Sequence, residues 1–367
     1  MKVMDYKQTE NYSIYNGDCM DVLTKLPDES IDLSVYSPPF IGLYQYSSDP
    51  RDFSNCTNNE QFIKQYEYLV NQITRLTKSG RISAVHCMDI FLSGMKLYDF
   101  PHEVIKIHED NGWDYACRIT VWKEPLKVRL RTMAQHLMHK FIMEDATRCA
   151  TAMPDYILIF KKRGENKIPV THVDGINEYA GDVPILPHML ETFNNTNDTS
   201  FTAGELWDYL KSTKRKGEIS KLNHFIWQRY ASSIWDDIRI DNVLPFRPAK
   251  EEDDEKHVHP LQLDVIERIV ELYSNPSEVI LTPFMGVGSE VYGAVKKGRK
   301  AIGVELKTSY YKQALRNLEN IKYSDDENAQ LILMPENDEE NDYDWQDAEQ
   351  SPYILNENEC QEAIDKL

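Results

Sequence analysis

Val279-Ile280-Leu281-Thr282-Pro283-Phe284-Met285-Gly286-Val287-Gly288 carries an apolar, partly β-branched run straight into a tight turn with two glycines. Ser289 to Lys297 then has helical spacing, and Ala301 to Val304 is a second short apolar run ending at the acid Glu305. Strand, glycine turn, helix, strand and terminal carboxylate make a nucleotide-binding unit. Glycines at 286 and 288 let the backbone approach a ligand where side chains would collide. Glu305 stands 17 residues after Gly288, where a carboxylate can accept hydrogen bonds from both hydroxyls of a ribose. The turn lacks the third glycine of the dinucleotide pattern and the Gly-Lys-Ser/Thr of a phosphate loop. A ligand with a ribose and no phosphate fits it better than a dinucleotide or a nucleoside triphosphate.

Strands and helices continue to alternate on either side of a polar middle. Tyr12 to Tyr15, Ile31 to Tyr36, Arg81 to Cys87, Tyr115 to Trp122 and Tyr156 to Phe160 read as strands. Cys19 to Leu26, Glu60 to Leu76 (stopped by Gly80), Leu261 to Tyr273 and Ser309 to Asn320 read as helices. The alternation predicts an α/β fold with a mainly parallel, doubly wound sheet. Residues 1–163 form one half of that core and 258–323 the nucleotide-binding half. Residues 164–257, polar with interspersed aromatics, read as an insertion lying on the sheet and not in it.

The net charge is −19, but 15 acidic residues against Lys366 alone lie from Asp325 onward. The tail, 324–367, therefore reads as acidic and disordered, and net charge says little against a polyanionic partner for the core. No run approaches the roughly 18 apolar residues of a membrane helix, so no membrane partner is expected. The six cysteines are scattered without a Cys-x-x-Cys pair, which argues against disulfides and structural zinc. With no secretory signal at Met1-Lys2-Val3-Met4-Asp5, the expectation is a cytoplasmic protein without a metal.

Ser37-Pro38-Pro39-Phe40 follows the apolar run Ile31 to Tyr36. An exocyclic amino group of a base is a poor nucleophile, because its lone pair is delocalised into the ring. Accepting hydrogen bonds from both amino hydrogens pushes the nitrogen towards a tetrahedral shape. The Ser37 hydroxyl and the Pro38 carbonyl can both accept, and the prolines hold the turn rigid. Phe40 offers a flat face for an extruded base. A methyl group can then pass in line to the nitrogen through proximity and alignment.

These elements, in this order, resemble the amino-methylating DNA methyltransferases of the β class, over residues 12 to 320. The catalytic motif comes first, and the Phe-x-Gly-x-Gly motif, here Phe284-Met285-Gly286-Val287-Gly288, comes last. His259-Pro260-Leu261-Gln262-Leu263-Asp264 is similar to the family's His-Pro element, and Asn16-Gly17-Asp18-Cys19 to its Gly-Asp-Cys element. The resemblance implies a seven-stranded Rossmann-like sheet with both motifs on adjacent strand ends. It also implies S-adenosylmethionine as methyl donor and double-stranded DNA as partner, with a homodimer left open. Ser37, Pro38, Pro39 and Phe40 would be catalytic, and Asp18, Cys19, His259, Pro260, Phe284, Met285, Gly286, Gly288 and Glu305 would bind the cofactor. In this family a leading Ser goes with cytosine N4 and Asp or Asn with adenine N6. Cytosine N4 is therefore the expected target, adenine N6 the alternative, and a catalytically silent DNA-binding protein of the same fold a remoter one. Thr282 stands where the family usually has Asp, so no strong contact is expected of it.

Lys123, Lys127, Arg129, Arg131, Lys140 and Arg148 gather in one short segment beside the catalytic half. They suit phosphate contacts, or base edges for one or two arginines, and 164–257 would supply target recognition.

Overall fold

The computed structural model describes residues 3–39, 56, 59–91, 96–132, 134–182, 185–216, 219–249, 260–319 and 321. Phe40, His259 and the acidic tail lie outside the described residues, as does the side chain of Arg131.

Among the described residues nine strands form one sheet: β1 (Val3–Gln8), β2 (Tyr12–Gly17), β3 (Ile31–Tyr36), β4 (Thr77–Cys87), β5 (Trp113–Val121), β6 (Asp155–Lys162), β7 (Ile234–Trp235), β8 (Val279–Thr282) and β9 (Lys300–Glu305). Their order is β1-β2-β9-β8-β3-β4-β6-β5-β7. Neighbours among β2, β9, β8, β3 and β4 pair in parallel, and β6 runs antiparallel between β4 and β5. The expected seven strands are those from β2 to β5, and two edge strands extend them. β1 adds an antiparallel hairpin arm to β2.

The other edge corrects the reading of 164–257 as lying wholly outside the sheet. Ile234 and Trp235 pair in parallel with Thr120 and Val121, and Trp235 is fully buried. A second correction concerns Gly80. The helix before it ends at Leu76, and Gly80 is a position within β4 at φ +72°.

The helices are α1 (Cys19–Leu23), α2 (Asn59–Leu76), α3 (Phe100–Asp110), α4 (Pro125–Thr132), α5 (Lys140–Glu144), α6 (Pro187–Asn197), α7 (Ala203–Ser212), α8 (Lys221–Tyr230), α9 (Leu263–Tyr273), α10 (Ser289–Lys296) and α11 (Thr308–Glu319). One apolar cluster joins the sheet to Ile266, Ile269, Val291 and Ala314 of α9, α10 and α11. The other joins it to Val22, Leu69, Ile73 and Val104 of α1, α2 and α3. All six residues of β3 are consequently buried, as expected for a parallel strand covered on both faces. The chain leaves β8 through α10 to β9 on one side, and leaves β3 through α2 to β4 on the other. The strand order therefore reverses between β3 and β8, and the crevice at their carboxyl ends is the place for a ligand.

α6, α7 and α8 share a smaller core around Leu206, Leu210, Leu222 and Ile226. Arg268 of α9, fully buried, ties this region to the sheet. Its guanidinium donates to Asp237 at 2.7 Å and to the Ala180 carbonyl at 2.6 Å, and lies 4.8 to 5.2 Å from the ring centres of Tyr179, Tyr230 and Trp235. Burial opposes the charge of Asp237, but Arg268, the Tyr179 hydroxyl and Arg229 outweigh it and keep the carboxyl below its ordinary range. Asp237→Ala leaves a buried guanidinium without its carboxylate. It should lower unfolding free energy by about 3–5 kcal/mol in urea titrations of the full chain.

Candidate active site

β3 ends at Tyr36, immediately before Ser37, and parallel pairing of Tyr36 with Val85 brings the end of β4 alongside. His86 follows Val85, and its Nδ1 is hydrogen-bonded to the Ser37 hydroxyl. Because β6 is antiparallel, its first residue arrives at the same edge where the parallel strands finish. That residue is Asp155, whose Oδ2 lies 3.1 Å from His86 Nε2. Lys123, just beyond β5, donates to Asp155 Oδ1 at 2.6 Å. Asp155 is buried, and desolvation alone would raise its pKa. Lys123 and then His86 outweigh that and hold the carboxyl well below the usual range. Serine, imidazole, carboxylate and ammonium thus form one chain along the carboxyl edge of the sheet.

Two of these groups, His86 and Asp155, were not singled out from the sequence. A lone His at the end of an apolar strand and a lone Asp before another carry no spacing signal. By charge and position in the sequence, Lys123 groups with the residues expected to contact DNA. The structure places its side chain, 12% exposed, against Asp155.

On the adjacent strand, Pro283 to Gly288 connect β8 to α10. Gly286 and Gly288 have φ of +52° and +92°. A Cβ on Gly288 would lie 3.1 Å from Ala314 of α11, so that glycine also serves packing. A Cβ on Gly286 would meet nothing within 4 Å, so open space faces the turn there. Glu305 at the end of β9 accepts from the Gly286 N–H at 2.9 Å through Oε2 and from the Lys307 N–H at 2.7 Å through Oε1. A carboxylate held in this way beside an open glycine turn fits a ribosyl ligand. The Met285 side chain is buried in the core, leaving only its backbone for the turn. Phe284 lies 6.3 Å, ring centre to ring centre, from Tyr36 and so links the two motif strands.

Asp18 caps α1 by accepting from the Met20 N–H at 2.9 Å. Burial, reinforced by Asp18, pushes the Cys19 thiol far above its ordinary pKa, so it stays protonated. Pro260 is half-buried at the first described position before α9. Asn16, just before the Gly-Asp-Cys element, donates its amide to the carbonyls of Glu305 at 2.9 Å and Leu306 at 3.1 Å. It thereby fastens β2 to the end of β9.

The basic segment lies on α4, α5 and the turns around them. Lys127 is exposed and 3.9 Å from Asp241, Arg129 is partly exposed, and Arg131 lies on α4. Lys140 and Arg148 sit 5.6 and 3.9 Å from the ring centre of Phe141. Among the described residues no group of three or more His, Cys, Asp or Glu could hold a metal ion, and no helix is long and apolar enough to cross a membrane.

A family model described as DNA methylase, for N6 and N4 methyltransferases, matches residues 31–316. Type II methyltransferase M.BglII of Bacillus subtilis is 26% identical over 304 residues, covering 81% of this chain and 66% of its own length. DNA adenine methyltransferase YhdJ of Escherichia coli K12 is 22% identical over 317 residues, covering 84% of this chain and 83% of its own. The solved structure of PvuII DNA methyltransferase, cytosine-N4-specific, superposes with a TM-score of 0.53 at 14% identity, covering 88% of this chain and 92% of that one. That likeness shows the fold.

The depressed pKa of Asp155 fixes the sign of a pH effect. Its stabilising contribution is complete above the ordinary carboxylate range and fades as pH falls towards the lower native value. Asp155→Asn should therefore be clearly less stable than wild type at pH 7 in equilibrium denaturation, and the gap should narrow near pH 3.5.

Proposed function

Because this chain belongs to the DNA methylase family of N6 and N4 amino-methyltransferases, we propose that it methylates cytosine N4 at a specific site in double-stranded DNA, using S-adenosylmethionine. The observation that carries this reading is the Ser37–His86–Asp155 chain at the end of β3, beside the open glycine turn on β8.

S-adenosylmethionine, when bound, supplies an electrophilic methyl group and leaves as the thioether. The protein's own residues prepare the nitrogen. With the Asp155 carboxylate facing Nε2, His86 carries its proton there, and Nδ1 is left to accept from the Ser37 hydroxyl. The lone pairs of Ser37 Oγ then face the crevice and can accept one amino hydrogen, while the Pro38 carbonyl accepts the other. Receipt of the methyl group would leave the amino nitrogen cationic. Its proton passes to Ser37 Oγ while the serine proton moves to His86 Nδ1. The resulting imidazolium lies against Asp155, whose charge Lys123 helps to hold in place. A neutral serine at the acceptor position supports cytosine. The adenine-N6 alternative has the name of the E. coli relative in its favour.

Lys127, Arg129, Arg131, Lys140 and Arg148 would meet phosphates, and the helices of 164–257 would read the sequence. The exposure of Lys127, Lys140 and Arg148, and the charge of all five, support the phosphate contacts.

Mass spectrometry of nucleosides from duplex DNA incubated with enzyme and cofactor should reveal N4-methylcytosine. N6-methyladenine alone would overturn the choice of base. Ser37→Ala should lower kcat by about a hundredfold while leaving cofactor binding unchanged. Glu305→Ala should do the reverse, weakening cofactor binding by about tenfold or more in calorimetric titration.

A further inference from the structure

The glycine turn is bordered by polar side chains whose hydrogen-bonding capacity is unused. Thr282 ends β8 and Ser289 begins α10, and the hydroxyls of both are buried with no hydrogen-bond partner among the described residues. Glu290 follows in the first turn of α10 and is only 5% exposed. Its carboxyl has its own backbone N–H as hydrogen-bond donor, and among the described residues no basic side chain pairs with it. The charge that bears on it is Glu305, of its own sign, across from β9. Of the other elements packed on α10, α9 brings Glu267, which is paired with Lys296 at the far end of the helix. Burial first and Glu305 second push the Glu290 carboxyl up to about 8, so the free protein holds it mostly neutral at pH 7.

A buried carboxyl with no cation is costly to ionise, and a plain packing role would be served better by an apolar residue. Its position explains it differently. Glu305 is already engaged by two backbone N–H groups and is placed for ribose hydroxyls. Glu290, which accepts from its own backbone N–H, is a second acid beside the same turn. The methyl donor carries one net positive charge through its sulfonium, whereas the spent thioether is a neutral zwitterion.

Building on the reading of the cofactor as S-adenosylmethionine, we propose that Glu290 is the counter-charge for the cationic donor and sets the preference for S-adenosylmethionine over S-adenosylhomocysteine. Donor binding favours the carboxylate, and the Glu290 proton leaves to solvent. Once the methyl group has gone, the carboxylate has lost its partner, takes a proton back, and the product is held less tightly. The two hydroxyls of Thr282 and Ser289 are available to the polar atoms of either ligand, so they contribute to affinity without discriminating.

Isothermal titration of the full chain with each ligand, in buffers of different ionisation enthalpy at pH 7, tests this. Glu290→Gln keeps the shape and removes the charge. It should weaken S-adenosylmethionine by at least about tenfold and S-adenosylhomocysteine by no more than about twofold. The proton release that accompanies donor binding to the wild type should shrink in the variant. Retained binding of S-adenosylhomocysteine also shows that the variant folds. Equal losses for both ligands, or no loss for either, would overturn the assignment while leaving the cofactor reading intact. A wild type that bound neither ligand would overturn the cofactor reading, and this assignment with it.

Discussion

The pairing of β3 with β8 is the contact on which the rest depends. Leu33 lies opposite Ile280 and Ser34 opposite Leu281, so two segments nearly 250 residues apart in the chain end side by side. Each strand then does something different at its carboxyl end. β3 stops in Ser37-Pro38-Pro39, which cannot continue a parallel ladder because the prolines lack N–H donors. β8 stops in a turn that needs positive φ at Gly286 and Gly288. The burial of β3 on both faces fixes this register, since a one-residue slip would turn its side chains to the wrong layers. A hydrogen bond between Ser34 and Ser83 at 2.7 Å satisfies the two hydroxyls enclosed there.

Charge is then brought to the crevice by topology. An antiparallel β6 among parallel neighbours delivers its first residue, Asp155, where the others deliver their last. An acid buried at that point would be driven neutral by desolvation if it stood alone. Lys123 and His86 keep it ionised, and it in turn orients the imidazole against Ser37. The cofactor side shows the opposite arrangement. Glu305 is stabilised by backbone N–H groups, while Glu290 has no basic partner among the described residues and burial raises its carboxyl above the ordinary range. One acid is committed and the other is available.

Much of this was legible in the amino-acid sequence. β3, β8 and β9 show as apolar runs because buried parallel strands need apolar side chains on both faces, and the glycine turn shows because only glycine suits it. α2 and α9 are marked by helical spacing. What stayed hidden depends on long-range pairing. His86 and Asp155 are 69 positions apart and look ordinary until β4 and β6 pair, Tyr156 opposite Cys87. β7 is two residues long, too short for any periodicity, and only the burial of Trp235 explains it. Lys123 was grouped by charge with its basic neighbours, and charge does not tell a solvated lysine from one closed over a carboxylate. α3 does carry a sequence signal: Asp99 caps it, Pro101 sits in its first turn, and Phe100, Val104 and Ile107 are spaced to bury one face.

Ser37 and the glycine turn, held together by β3 and β8, are the parts proposed to methylate an amino nitrogen of DNA. Methylation-aware sequencing of DNA from cells expressing this chain tests this most directly, because it reports the modified base and its sequence context together. N4-methylcytosine should be confined to one short recognition sequence and absent from cells without the gene. Unmodified DNA, or methylation at cytosine C5, would contradict the proposal.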